Sequence, residues 1–381
     1  MAVRAVKTTP LSPDAAQVLA ALDAARERTL ALVEPLSDAD LERVHSPIMS
    51  PLVWDLGHIA AYEDLWLAHR YGGLALLRPE LANLYDAFET PRAIRGEIEA
   101  LGVDDAKAYM AAVSARTAAV IGEHGSGDGV LCEMVLRHEH QHSETMRQTL
   151  AIAGLLPAGE RELIAAPLAP GEAPEGWLRI PAGSFQLGAG AEGFSYDNER
   201  PRHPVELPAF TIARRPVSNA SWLRFSEGGG YERREWWSDE GWAWKQEHDI
   251  THHPAIAAAH PEAPVCQVSW FEADAFARAH DARLPSEAEW ERAATWTQQT
   301  HEGLAGVGRV WEWTGSRFHG YPGFVAYPYR EYSEVFFGER YRVLRGSSWA
   351  THARVASVTF RNWDLPQRRQ IFAGVRVVRE A

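Results

Sequence analysis

Two cysteines, Cys132 and Cys266, in 381 residues exclude a disulfide scaffold and any zinc or iron–sulfur site built from several thiolates. A metal bound here has to be held by His, Asp or Glu. Long apolar runs are missing as well, and nothing approaches the ~20 residues needed to cross a bilayer. The N-terminal stretch MAVRAVKTTPLSPDAA lacks the apolar core of a secretory signal, so the cytoplasm is the expected location. Basic residues are in deficit: 38 Lys and Arg against 51 Asp and Glu leave a formal charge of −13. An acidic surface repels nucleic acid and anionic membranes, and neither is expected as a partner. There is no internal repeat and no low-complexity tract.

What remains is the composition of a water-soluble globular protein, 46% hydrophobic and 23% charged, on a chain long enough for two domains. Residues 1–155 show apolar positions at helical spacing in AAQVLAALDAARERTLALVEPL, SPLVWDLGHIAAYEDLWLAHRY, DAKAYMAAVSARTAAVIGEH and VLCEMVLRHEHQHSETMRQTLAIAGLL, which predicts a four-helix bundle. Ser12-Pro13, Ser50-Pro51 and the glycines between 125 and 129 punctuate these segments. Residues 156–176, rich in Pro, Gly and Ala, read as a linker or wrapping segment. From 177 to 381 short strand-like runs alternate with long turn-rich stretches, and only SWFEADAFARAHDA and SEAEWERAATW look helical. This second domain is expected to be α+β or mostly irregular, with loops that carry function. Many of the 15 tryptophans fall in it, which points to an aromatic-rich core or pocket.

The stretch LRHEHQHSETM places three histidines in five positions. On a helix His138 and His142 are i and i+4, about 40° apart, and can converge on one ion. His140 and Glu144 lie about 200° away and point elsewhere, with a supporting role behind the ligands left open. A histidine-rich polar helix face is the plain alternative. Against it stands His58, in an otherwise apolar helix with Trp54, Leu65 and Trp66. Helix bundles build metal sites from facing helices. A three-histidine site leaves open positions and suits Fe(II), Zn(II), Cu or Ni.

The motifs SPLVWDLGHIAAYEDLWL, LYDAFETPRAIRG, RHEHQHSETM, VWEWTGSRFHGYPGF, LRGSSW and RNWDLPQRRQIFAGVRVVR, taken in order, resemble the hercynine sulfoxide synthases of ergothioneine biosynthesis. These are non-haem iron enzymes that join hercynine (trimethylhistidine) to a thiol using O2. A closely similar branch, the selenoneine synthases, uses a selenosugar. The resemblance implies an all-α DinB-like four-helix bundle carrying the metal, followed by an α+β formylglycine-generating-enzyme-like (C-type-lectin-like) domain that completes the substrate site. It implies Fe(II) as cofactor, held by His58, His138 and His142. It also implies that Gln141, Tyr332, Asn362 and Trp363 bind hercynine and that Tyr329 donates a proton. Arg92, Arg95, Asp364 and Arg368 match positions that hold a γ-glutamylcysteine donor. The chemistry is consistent: a trimethylammonium prefers aromatic faces, and the carboxylates of a dipeptide donor prefer guanidinium forks. Read without the family, Tyr329 is equally a packed loop aromatic, Asp364 and Arg368 a surface ion pair, and Arg92 and Arg95 solvated helix-end charges.

The chain departs from the family pattern between RLPSEAEWERAATW and GRVWEWTG, where only TQQTHEGLAGV stands in place of a longer segment. That leaves the donor, a thiol or a selenol, undecided. Cys266 is the sole cysteine of its half, so the paired-cysteine chemistry of formylglycine-generating enzymes is not expected. Two other classes fit the residues: a zinc-dependent DinB-type thiol transferase or hydrolase, and a non-catalytic binding protein.

Overall fold

The computed structural model describes residues 14–168, 176–254, 259–300 and 304–381. Ser12-Pro13, much of the Pro- and Gly-rich segment (169–175) and part of the shortened segment (301–303) lie outside the described residues. The chain divides into two compact units. One comprises Met1–Leu156 with Ala191–Phe194, the other Pro157–Gly190 with Ser195–Ala381.

The first unit is built from α1 (Ala15–Val33), the short α2 (Asp38–Glu42), α3 (Leu52–Glu63), α4 (Val103–His124) and α5 (Val130–Ala153). On α1 the buried Val18, Leu22, Ala25, Thr29 and Leu32 recur every three or four residues, the stripe that a helix presents to a core. The four long helices are those the spacing predicts. Pro51 caps the start of α3, and Gly129, at φ +78°, precedes α5. One expectation is corrected: the second periodic segment is not a single α-helix. It leaves α geometry at Asp64 and runs to Tyr71 as a π-helix.

One buried guanidinium ties the bundle together. Arg26 of α1 donates to Glu63 of α3 at 2.6 Å, to Glu139 of α5 at 3.0 Å, and to Met110 O and Ser114 Oγ of α4 at 3.1 and 3.2 Å. Charges so far from water persist only when paired. The pairing therefore constrains how α1, α3, α4 and α5 are mutually set.

The second unit begins with α6 (Ala158–Ala165) and carries β1 (Trp177–Ile180), β2 (Gly183–Leu187), β3 (His203–Leu207) and β4 (Phe210–Ala213). Then come α7 (Asn219–Glu227), α8 (Asp239–Glu247), α9 (Trp270–Ala279), α10 (Glu287–Thr300), β5 (Trp311–Arg317), β6 (Arg342–Arg345), β7 (Asn362–Asp364), β8 (Ala373–Gly374) and β9 (Val378–Glu380). The strands form three small sheets, ordered β1-β4-β9, β2-β3 and β7-β6-β5-β8. Helices α9 and α10 match the expectation, whereas α7 and α8 were not anticipated. Both are nine residues long and both start at a serine cap, Ser218 and Ser238.

Buried ion pairs join the helices, strands and loops of this unit. Arg376 forms a two-pronged bond to Glu312 at 2.7 Å on each prong. Arg361 does the same with Glu287 at 2.7 and 2.9 Å, and Arg345 meets Glu291. All three guanidinium groups are buried.

Candidate metal centre

Helix α3 places Trp54, His58 and Tyr62 in one i, i+4, i+8 row, and α5 places His138 and His142 four residues apart. Packing of α3 on α5 brings one ligand atom from each of His58, His138 and His142 within 4.8 Å of one another. The Nε2 atoms of His58 and His138 are 3.2 Å apart. Two nitrogens each about 2.1 Å from one ion lie about 3.0–3.4 Å apart at ordinary coordination angles. The pair is therefore spaced for a shared cation.

Each imidazole has its own anchor. His58 Nδ1 donates to Tyr85 O at 2.6 Å, leaving Nε2 for a metal. His142 Nδ1 is 3.0 Å from Asp55 Oδ1 on α3, a carboxylate–histidine arrangement that fixes the ring and strengthens it as a ligand. His138 stacks on Tyr62 at 3.6 Å and 11°. Behind His58, Trp54 stacks at 4.8 Å and 14°, and the Arg95 guanidinium covers Trp54 at 3.6 Å. Gly57 is required here: a Cβ would fall 2.1 Å from Tyr85 Cζ, and Tyr85 would have to leave the position from which its carbonyl holds His58.

Burial pushes the His58 ring well below its ordinary pKa, helped by the charge of His142 and of Arg95 and Arg92 and opposed by the bond to Tyr85. Burial and the charges of His142 and His58 do the same to His138. Both rings are therefore neutral at pH 7, the form that binds a metal. The donor set is three imidazoles with a carboxylate behind one of them. It fits a divalent transition ion with open positions.

Asp55, Tyr62 and Tyr85 were not singled out from the sequence. The first two had a signal: an acid at i−3 and a tyrosine at i+4 from His58 on a helix whose other residues are mostly apolar. Replacement of Asp55 by Ala is expected to weaken metal binding about 10–100-fold with the helical CD spectrum unchanged. Titration of the apo-protein with Fe(II) or Zn(II) measures this, and a dissociation constant within twofold of the parent would dismiss the role.

The other positions named from the sequence fall as follows. Gln141 is half-buried on α5 next to His142, while His140 and Glu144 are buried. Arg92 is exposed in the turn Arg92–Ile94. Arg95 is buried, and donates to Thr90 O and Ser50 Oγ at 2.8 Å and to Ala87 O at 3.4 Å. In the second unit Tyr329, Tyr332 and Trp363 come together. Tyr332 meets Tyr329 edge-on at 6.2 Å and Trp363 edge-on at 5.9 Å, and stacks on Tyr196 at 4.3 Å. Trp363 stacks on Phe318 at 4.2 Å, and Asn362 precedes it on β7. Asp364 Oδ2 is 3.5 Å from Nε of the buried Arg368.

Comparison with known proteins places both units. The DinB superfamily model matches residues 21–146. The sulfatase-modifying factor enzyme 1-like domain matches 166–303 and 301–381, two pieces that meet inside the shortened segment. The chain is 40% identical to a hercynine oxygenase of Mycolicibacterium smegmatis, over 93% of this chain and 96% of that one. It is also 40% identical to a hercynine oxygenase of Mycobacterium tuberculosis, over 95% and 98%. The first alignment runs over 423 positions, more than the 381 residues of the chain, so that relative holds residues this chain lacks. A formylglycine-generating enzyme of Streptomyces coelicolor is 32% identical over 42% of this chain and 58% of its own length. The architecture is thus a DinB-like helical domain followed by a formylglycine-generating-enzyme-like domain, and the chain belongs to the hercynine oxygenase family.

Proposed function

We propose that this protein is a hercynine sulfoxide synthase: an Fe(II)-dependent oxidoreductase that uses O2 to couple hercynine to a thiol or selenol donor. The observation that carries this reading is the convergence of three imidazoles from two helices, in a chain of the hercynine oxygenase family. The hercynine C–H and the donor S–H or Se–H are lost, and a C–S or C–Se bond forms. One oxygen atom of O2 goes to the chalcogen and the other to water.

Fe(II), when bound by His58, His138 and His142, supplies the one-electron chemistry that O2 needs to react with closed-shell molecules. The chain's own residues bind, orient and move protons. Tyr332 and Trp363 offer aromatic faces to the trimethylammonium. Gln141 and Asn362 carry amides suited to the imidazole and carboxylate of hercynine. Tyr329 Oη gives a proton as the new bond forms. Arg92, Arg95, Asp364 and Arg368 hold the donor. Support for the arginine pair comes from charge: Arg92 and Arg95 lie near enough to His58 to oppose its protonation. Among the described residues no helix is long and apolar enough to cross a membrane. The substrates are small molecules, and we place the reaction in the cytoplasm.

The test is O2 uptake and product mass with Fe(II)-loaded protein, hercynine, and cysteine, γ-glutamylcysteine or a selenosugar in turn. O2 consumption that requires hercynine and one donor, with the coupled mass as product, is expected. Full activity with zinc and without O2 would replace this reading by a hydrolytic or transferase one.

A further inference from the structure

The turn Asp197–Glu199, in the stretch SYDNERPRH, is buried although it precedes the exposed Pro201 and Arg202. Its bonds reach two distant segments. Asp197 Oδ2 accepts from the Tyr327 N–H at 3.2 Å, and Asp197 Oδ1 accepts from the Ser333 hydroxyl. Asn198 Nδ2 donates to the same Ser333 Oγ at 2.9 Å. These contacts bracket the loop 327–333, which holds Tyr329 and Tyr332. On its other side the turn meets the segment leading into β7. Arg361 Nη1 donates to Asn198 O at 2.7 Å, and Thr359 Oγ1 donates to Glu199 Oε2 at 2.6 Å. Arg361 immediately precedes Asn362 and Trp363. The neighbouring Tyr196 adds its ring, stacked on Tyr332.

We propose that Asp197-Asn198-Glu199 is a positioning element, which sets loop 327–333 against β7 and so fixes Tyr329 and Tyr332 relative to Asn362 and Trp363. The physical reason is the loop's own weakness. Its backbone bonds are single turns: Tyr332 N to Tyr329 O at 3.5 Å, Ser333 N to Arg330 O and, just beyond, Phe336 N to Ser333 O. Such single turns of 3-10 type have little stiffness. A buried carboxylate and amide at the loop's two ends supply what the loop lacks, because each of their bonds would leave a buried polar atom unpaired if broken. Burial lifts the Asp197 carboxyl to about 6, against the bonds from Ser333 and the Tyr327 N–H, so at pH 8 it is ionised and accepts both.

The inference rests on the roles given above to Tyr329 and Tyr332, and its test has one arm that needs no chemistry. Arg330 is exposed within the loop, so tryptic cleavage after it at pH 8 reports loop opening. Asp197→Ala and the milder Ser333→Ala, in the Fe(II)-loaded full chain, are expected to speed that cleavage about tenfold or more. Metal content should stay at the parent value. Hercynine binding by calorimetry should weaken at least threefold, and coupled product per O2 consumed should fall. In a Tyr329→Phe background Asp197→Ala should lower product per O2 by less than it does in the parent, since part of its effect runs through Tyr329.

Parental cleavage rates in both variants would overturn the clamp. Faster cleavage with parental hercynine affinity and product yield would overturn the positioning role, leaving the turn a matter of stability alone. A Tyr329→Phe protein with parental product yield would sink the role of Tyr329 instead. The cleavage and calorimetry arms would still decide about the turn.

Discussion

His142→Ala is expected to leave purified protein with well under a tenth of an equivalent of bound iron, and with apparent affinity lowered about a thousandfold or more. His58 and His138 would remain, 3.2 Å apart, but two neutral imidazoles hold a divalent ion poorly. The substitution also frees the Asp55 carboxylate from its partner, and a buried carboxylate without one is costly. Ala is the best helix former, and His142 is only half-buried, so α5 should persist. Metal analysis after anaerobic loading, with far-UV CD as the folding control, measures the effect. Full occupancy in the variant would mean that the ion sits elsewhere, and the proposed chemistry would go with it.

Tyr329→Phe separates holding from reacting. The ring keeps its edge contact with Tyr332, so hercynine binding should stay within about threefold and metal content should not change. What is lost is one O–H. Proton transfer by a positioned side chain typically contributes 10²–10⁴-fold, and coupled product should fall by about that factor while O2 uptake declines less. Product mass and O2 consumption, read in the same reaction, give the answer. A product profile like that of the parent would exclude the tyrosine as proton donor.

How much of this was legible can be judged residue by residue. The pair His138 and His142 is readable because helical geometry is local: four residues make one turn whatever the rest of the chain does. His58 was readable as a polar group out of place on an apolar helix; the roles of Asp55 and Tyr85 were harder to read. Asp55 looks like an ordinary acid in a first helical turn until α5 packs against α3. Tyr85 contributes a backbone carbonyl, which no residue type announces. Helices α7 and α8 were missed because Gly, Arg and Glu surround Trp222, Phe225 and Trp242 and blur the period, although Ser218 and Ser238 stood in cap positions. The shift into π geometry at Asp64 had no signal in the spacing.

From composition and periodicity alone came the scarcity of thiolates, which leaves nitrogen and oxygen as the ligands open to a metal, and a helical first half with two imidazoles on one face. Both follow from residue chemistry and from hydrogen bonds between near neighbours. The third imidazole's approach, the carboxylate behind His142, and the turn at 197–199 gripping residues 327, 333 and 361 belong to the tertiary structure. They join positions 80 to more than 160 residues apart, and only the burial of whole helices and loops against one another selects which distant groups meet.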